Sequence, residues 1–380
     1  MKKIHNHIKI SLSLTAAIMA LALALSSCTT KTTAGQSTTN SNLTPQSVLT
    51  KSSQDEVTVM TFNVENLFDT LHDENREDYS FLPLNEKQKK EVQDFCNNIS
   101  SSHFKRECLE KNWDENAVKF KMSQIAKTIK YVDNGAGPDI IFFAEVENLR
   151  ILNRLNDEYL KDMGYKTRVL LEGPDMRGID PAIISKYPIK GKPKLHLIPF
   201  KNLEPEQLQK AQKLRGILEV TVTLPNKKNV TLLAVHFASQ ASPTVLRLQS
   251  AQFLKKKMLE YEKAGRAVIA AGDMNTIDVE DKSHGIFSNI LSQAGGVSHL
   301  VGCKSCDGTH NYKGNWSFLD VIVFGNKLST SGYELIPDSI TVVKTPDNSK
   351  PNGTPLRFDE NNRSGVADHF PLFAKLKIKK

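Results

Sequence analysis

Residues 266–276 read RAVIAAGDMNT. Arg266–Gly272 is short and apolar, the length and composition of a strand buried on both faces. It runs directly into Asp273 and Asn275, two polar side chains at i and i+2. On an extended strand end or a tight turn, both can face one pocket. Asp-x-Asn alone is as readily a turn or a helix cap. A buried strand that delivers a carboxylate and an amide at its end instead suggests a layered α/β fold, in which sites are built at strand ends and in the loops beyond.

The rest of the chain repeats this pattern. Short apolar runs predict strands at Val57–Asn63, Asp139–Glu145, Tyr165–Leu171, Pro181–Ser185, Gly216–Thr223, Val230–His236, Leu319–Phe324 and Leu372–Ile378. Apolar residues at three- and four-residue spacing predict helices over Ala117–Val132 and Thr244–Glu260, packed on a sheet. Several strands end in a group able to bind metal or move a proton: Asn63, Glu145, His236 and Asp273, with Asp368-His369 further on. Each alone is ordinary, since Asn and Asp begin turns and a lone His is usually just hydrogen-bonded. Together they point to a site.

Composition sets the frame. The chain has 380 residues, 39% hydrophobic and 24% charged, which excludes wholesale disorder and a multi-span membrane protein. Five cysteines are too few for a disulfide scaffold. The formal charge of +8 hints at a polyanionic partner. Acids concentrate in residues 69–116, so the base excess on the remainder exceeds the whole-chain figure.

The N-terminus reads as a secretion signal. Lys2, Lys3 and Lys9 precede an apolar run from Ile10 to Leu25, and Leu25-Ser26-Ser27-Cys28 resembles a bacterial lipobox. Residues 1–27 are therefore expected to be a lipoprotein signal, with Cys28 the lipidated residue. An uncleaved anchor or an ordinary signal is the rival. Thr29 rather than Asp favours the outer membrane in a diderm. Residues 28–54, rich in Ser, Thr, Asn and Gln, are expected to be a flexible tether, leaving one domain over 55–380. Export would place Cys96, Cys108, Cys303 and Cys306 in an oxidising compartment. Proximity favours Cys96–Cys108 and Cys303–Cys306 disulfides, with a four-cysteine zinc site as the alternative.

Seven segments, taken together, resemble the endonuclease/exonuclease/phosphatase superfamily. They are TFNVENLFD (61–69), PDIIFFAEVEN (138–148), RGIDPAIISKYPI (177–189), LLAVHFASQ (232–240), AAGDMNT (270–276), WSFLDVIVF (316–324) and GVADHFP (365–371). The resemblance implies a four-layer α/β sandwich, two packed mixed β-sheets flanked by helices. It implies a Mg²⁺-dependent phosphodiesterase, with Mn²⁺ or Ca²⁺ as substitutes and no organic cofactor. A nuclease is the first reading. A lipid-head-group or inositol-phosphate esterase is the second, and a non-catalytic binding protein the third.

Carried over position by position, the resemblance makes Glu145 the first metal ligand, with Asn63 beside it and Asp368 on the metal side. Asp273 would deprotonate the attacking water and Asn275 would bond a phosphate oxygen. Asp320 would hold His369 oriented and charged, and His236 would donate to the phosphate or act as acid. Arg177 is a candidate phosphate clamp. Asp180 reads as a turn initiator. Arg215, Arg247 and Lys186 read as surface charges, while Glu65 and Glu147, at i+2 from key residues, could share the pocket. Residues 70–116 are expected to be a lid or a stapled insertion. The protein is expected to be a monomer anchored to the cell envelope by lipid, with nucleic acid as substrate.

Overall fold

A computed structural model describes residues 43–379. The expected signal 1–27, lipidated Cys28 and most of the tether lie outside the described residues. Among the described residues there are fourteen strands: β1 (Glu56–Leu67), β2 (Ile140–Val146), β3 (Thr167–Leu170), β4 (Asp180–Ser185), β5 (Lys194–His196), β6 (Ile217–Thr223), β7 (Asn229–His236), β8 (Ala267–Asp273), β9 (Gly295–Val297), β10 (His310–Tyr312), β11 (Asn315–Ser317), β12 (Asp320–Gly325), β13 (Tyr333–Val342) and β14 (Leu372–Ile378).

They form two six-stranded sheets, β13-β14-β1-β2-β4-β3 and β5-β6-β7-β8-β12-β9, plus the small hairpin β10-β11. Each large sheet is mixed, with β1 parallel to β2 and β7 parallel to β8 among antiparallel neighbours. The strand pattern explains the packing. In β1, Val57 and Val59 point into the space between the sheets, while Met60, Phe62 and Val64 point the other way. The outer set meets Val118, Met122, Ile125 and Ile129 of the helix Glu115–Lys130. In β7, Leu232 and Ala234 face the other sheet, while Leu233 and Val235 meet Leu254 and Met258 of the helix Thr244–Lys263. Strands with two apolar faces need four layers, the architecture expected.

The helix Glu115–Lys130 begins where Asp114 caps it, accepting from the Ala117 amide at 2.9 Å. Lys121 on this helix is buried, donating to the Val366 carbonyl at 2.6 Å.

Two expectations are corrected here. The tether does not extend to residue 54. Thr44 is buried and donates to the Val342 carbonyl at 2.7 Å, Gln46–Leu49 is a short helix, and Leu49 is fully buried in the core. One leucine and one backbone-matching threonine suffice to fasten a stretch whose composition is otherwise polar. Asp180 is no turn initiator either. It is fully buried at the start of β4, accepts from the Gly173 amide at 3.1 Å, and burial pushes its carboxyl up to about 7.

Residues 70–116 fold into an ordered insertion. Helices Lys90–Asn97 and Ser102–Glu110 are joined by the Cys96–Cys108 disulfide around a small core with Leu82 and Val92. Trp113 is buried and donates to the Phe68 carbonyl at 3.2 Å. Cys303–Cys306 forms the second disulfide.

Gly272 shows how tightly β7 and β8 approach beside the strand ends. Its φ is +146°, and a Cβ there would meet the Val235 carbonyl oxygen at 1.9 Å. Gly272→Ala is expected to lower stability by about 2–3 kcal/mol, read from the midpoint of chemical denaturation. A midpoint unchanged from wild type would contradict this packing.

Candidate active site

The ends of β1 and β2 from one sheet meet the ends of β7, β8 and β12 from the other. Register does most of the positioning. His236, Asp273 and Asp320 are paired across β7, β8 and β12, so three chemically active side chains stand in one row. Asn63 on β1 pairs with Ala144, directly before Glu145 on β2.

Asn63 joins the two sheets. Its Nδ2 donates to Glu145 Oε1 at 3.1 Å and to Asp273 Oδ2 at 2.9 Å, while its Oδ1 accepts from the Glu65 amide. With its oxygen turned to the Glu65 amide, Asn63 presents its amide nitrogen to the two carboxylates and orients them. Glu145 also accepts from the Asn66 amide at 3.1 Å. Asp273 Oδ1 accepts from the Asn275 amide at 2.7 Å, and Asn275 Nδ2 donates to the Phe237 carbonyl at 3.2 Å. Glu145 and Asn275 both have positive φ, 66° and 49°. Such backbone strain persists only where the surroundings hold it, and it collects at functional sites.

His369 Nδ1 and Asp320 Oδ2 are 2.6 Å apart, both groups buried. Burial opposes the charge, but Asp320, with Asp368 and Asp273, holds the imidazole well above its usual range. Its Nε2 lies 3.9 Å from Asp368 Oδ1. His236 behaves oppositely. Burial and the nearby Arg215 keep it neutral, well below its usual range. Its Nδ1 is 3.1 Å from the Ile179 carbonyl, which fixes the proton there. Nε2 then carries the lone pair, 3.8 Å from Glu145 and 3.9 Å from Asp273. In this tautomer His236 is an acceptor or ligand, and it donates to a phosphate only after taking up a second proton. Burial pushes Asp273 up to about 7, against the pull of the charged His369.

Glu145, His236, Asp273, Asn275, Asp368 and His369 line a cleft of ≈ 940 Å³. Arg177 lines it too and pairs with Asp175 at 3.0 Å. Three expected surface charges are not on the surface. Arg215 is 3% exposed, lines the cleft, and pairs with Asp175 at 2.6 Å with its Nε unpartnered. Arg247 is buried on Glu280 at 2.6 Å. Lys186 is half-buried, donating to the Gly137 carbonyl at 2.7 Å. Glu65 and Glu147 do not share the cleft. Positive φ at Glu65, Asn66 and Glu145 ends the strand alternation on which that expectation rested. Glu65 pairs with Arg357, and burial with Asp368 nearby pushes it up to about 7. Glu147 turns toward Asp69.

Sequence reasoning missed the hairpin β10-β11 entirely. It brings His310 onto His369, ring centroids 4.8 Å apart, and sets Tyr312 and Trp316 along the cleft. His310, Asp368 and His369 form one group of possible cation ligands, and Glu145, His236 and Asp273 another, each within 4.8 Å. The second offers two carboxylates, the donors a hard divalent cation takes, with an imidazole lone pair beside them.

A four-layer α/β sandwich with carboxylates and histidines at converging strand ends defines a hydrolase-type fold and site. The chain belongs to the Endonuclease/Exonuclease/phosphatase family, whose pattern matches residues 97–378. Members hydrolyse phosphoesters with divalent metals. Among solved structures, the fold is similar to a family protein from Bacteroides thetaiotaomicron (TM-score 0.51, 15% identity, covering 86% of this chain and 98% of that one). It is also similar to one from Bacteroides vulgatus (TM-score 0.50, 14% identity, 85% and 99%). No curated protein matches the sequence.

Asp320→Asn should leave the fold intact and lower kcat for phosphoester hydrolysis by about a hundredfold or more, because the charge that holds His369 protonated is gone. A kcat within about threefold of wild type would detach His369 from catalysis.

Proposed function

We propose that this protein is an exported, lipid-anchored, divalent-metal-dependent phosphodiesterase that hydrolyses nucleic acid. The row His236–Asp273–Asp320, facing Glu145 through Asn63 and completed by His369, carries this reading. Phosphodiester hydrolysis needs charge neutralisation at the phosphate, an activated water and a stabilised leaving group.

Glu145, with His236 at its side, would hold the cation, which supplies charge neutralisation at the phosphate when bound. Mg²⁺ is the expected ion. Asp368 stands in the neighbouring group with His310 and His369. Asp273, held on both oxygens by Asn63 and Asn275, is placed to orient a water and take its proton. His369, with Nδ1 committed to Asp320, presents Nε2 to a phosphate oxygen. Arg177 and Arg215 form the cationic wall of the cleft.

Two features support a polymeric substrate. Tyr312 and Trp316 border the cleft, and Tyr312 is 63% exposed, a platform on which a base can stack. The adjoining hollow is lined by Lys313, Lys350 and Arg357, where flanking phosphates would find positive charge. Against this, Glu145, Asp273, Asp278 and Asp368 outnumber the cleft's two arginines. The base excess of the sequence is therefore not gathered in the cleft, and this favours a second reading, a compact lipid-head-group or inositol phosphate. Support for the anchor is the Lys2–Leu25 run ending at Cys28.

Chelation with EDTA is expected to abolish hydrolysis, and Mg²⁺ or Mn²⁺ to restore it. His369→Ala and Asp273→Ala should each cost about a hundredfold or more. A panel of DNA, RNA, sphingomyelin and inositol phosphates separates the two readings, since turnover confined to the last two overturns the nucleic-acid assignment. Lys313→Ala with Lys350→Ala should weaken DNA binding and flatten its salt dependence by about one to two units of log–log slope. For the anchor, Cys28→Ser should move the protein out of the membrane fraction, and unchanged fractionation would refute lipidation.

A further inference from the structure

A second group of carboxylates lies outside the cleft, where the segment after β1 meets the residues after β2. Ligand atoms of Asp73, Asp78 and Glu147 all lie within 4.8 Å of one another, with Asp69 alongside. Glu147 is the most confined member, 3% exposed. Its Oε2 accepts from the Asp69 amide at 2.8 Å. Its Oε1 is buried and has no hydrogen-bond partner among the described residues. A buried carboxylate oxygen with neither donor nor counter-charge is costly, and its charged neighbours here are three more acids.

The nearby cations do not balance the group. Arg150 pairs with Asp69 and, at 2.8 Å, with Asp73. His72 pairs with Asp78. Arg76 turns away to the Gly173 carbonyl and Glu172. Four acids thus share one arginine and one histidine, and burial with Asp69 alongside pushes Glu147 up to about 9. The acids are already oriented for a shared guest, since the Asp73 amide donates to Asp78 at 2.8 Å and Asn148 Nδ2 donates to Asp73 at 2.7 Å. Asp73, with a side chain 23% exposed, leaves a way in from solvent.

We propose that Asp73, Asp78 and Glu147 form a structural site for a hard divalent cation of the calcium class, distinct from the cleft. Carboxylate oxygen is the ligand such cations take, with water completing the shell. Asp73 and Asp78 lie in the segment after β1, and Glu147 directly follows β2. The cation fastens that segment to the end of β2. This proposal is independent of the reaction in the cleft.

The test uses the full chain, stripped with EDTA and dialysed, in a Glu145→Gln background that weakens cation binding in the cleft. Ca²⁺ alone is expected to raise the unfolding midpoint by about 3 °C or more at saturation. Tb³⁺ is expected to luminesce through Tyr79, whose ring stacks on His72 at 4.4 Å. Adding Glu147→Gln, or separately the more exposed Asp73→Asn, should abolish both responses. The proposal is overturned if Glu145→Gln shows neither response, or if both survive in the Asp73→Asn and Glu147→Gln proteins.

Discussion

One side-chain amide sets the terms for the rest of the molecule. Asn63 Nδ2 reaches Glu145 in its own sheet and Asp273 in the opposite sheet, so a single neutral donor spans the sandwich. Two carboxylates brought this close repel, and both lose water on burial. A neutral amide can hold both without adding charge, provided the ends of β1, β2 and β8 stop at the same level. Parallel pairing of β1 with β2 and of β7 with β8 brings those ends to one edge of the sandwich. Antiparallel β12 then feeds Asp320 into the same level from the other direction. The positive φ values at Glu65, Asn66, Glu145 and Asn275 are the local cost of turning the chain away at that level.

Charge is handled in layers around this point. Acids stand at the centre, and the cations behind them are mostly committed to other partners. Arg215 and Arg177 share Asp175, Arg357 holds Glu65, and buried Lys121 gives its hydrogen bond to Val366 while its charge acts on Glu65 and Asp368. Two of the cleft histidines are driven apart by their neighbours: Asp320 favours the charged form of His369, and burial beside Arg215 favours the neutral form of His236. Opposite protonation of neighbouring groups is how one pocket supplies both an acceptor and a donor near neutral pH.

Much of this was legible in the sequence, and the limits have physical causes. The long apolar strands and the helices Glu115–Lys130 and Thr244–Lys263 announce themselves because burial on two faces forces continuous apolar runs or a regular stripe. Strands β5, β9, β10 and β11 have three residues each, too few to show a period. The ten residues of β13 are interrupted by Pro337 and an irregular register, tolerable because β13 is an edge strand. Asn63, Glu145, His236 and Asp273 were found because each ends a readable strand, and Asp320 and His369 through the family-like segments that carry them. His310 escaped because it sits on a strand that is not readable. Arg215, Arg247 and Lys121 escaped for a different reason. Their burial depends on partners 40, 33 and 245 residues away, and no local pattern reports a distant counter-charge or carbonyl.

The segment 70–116 shows what composition alone misjudges. Its charge density suggests a mobile lid, yet it is ordered: Cys96–Cys108 staples its own two helices, Trp113 enters the core and donates to the Phe68 carbonyl, and Asp73 and Asp78 meet Glu147. The last contact is also a link to the cleft, because Glu147 and Glu145 flank Val146 on one strand end and face different environments. Glu145 opens onto the cleft, while Glu147 is sealed against the segment's carboxylates. Whatever balances the charge at Glu147 therefore acts on the backbone that carries Glu145. The acids that pack against the end of β2 meet Arg150 and His72 locally, and the proposed cation would meet the charge that remains.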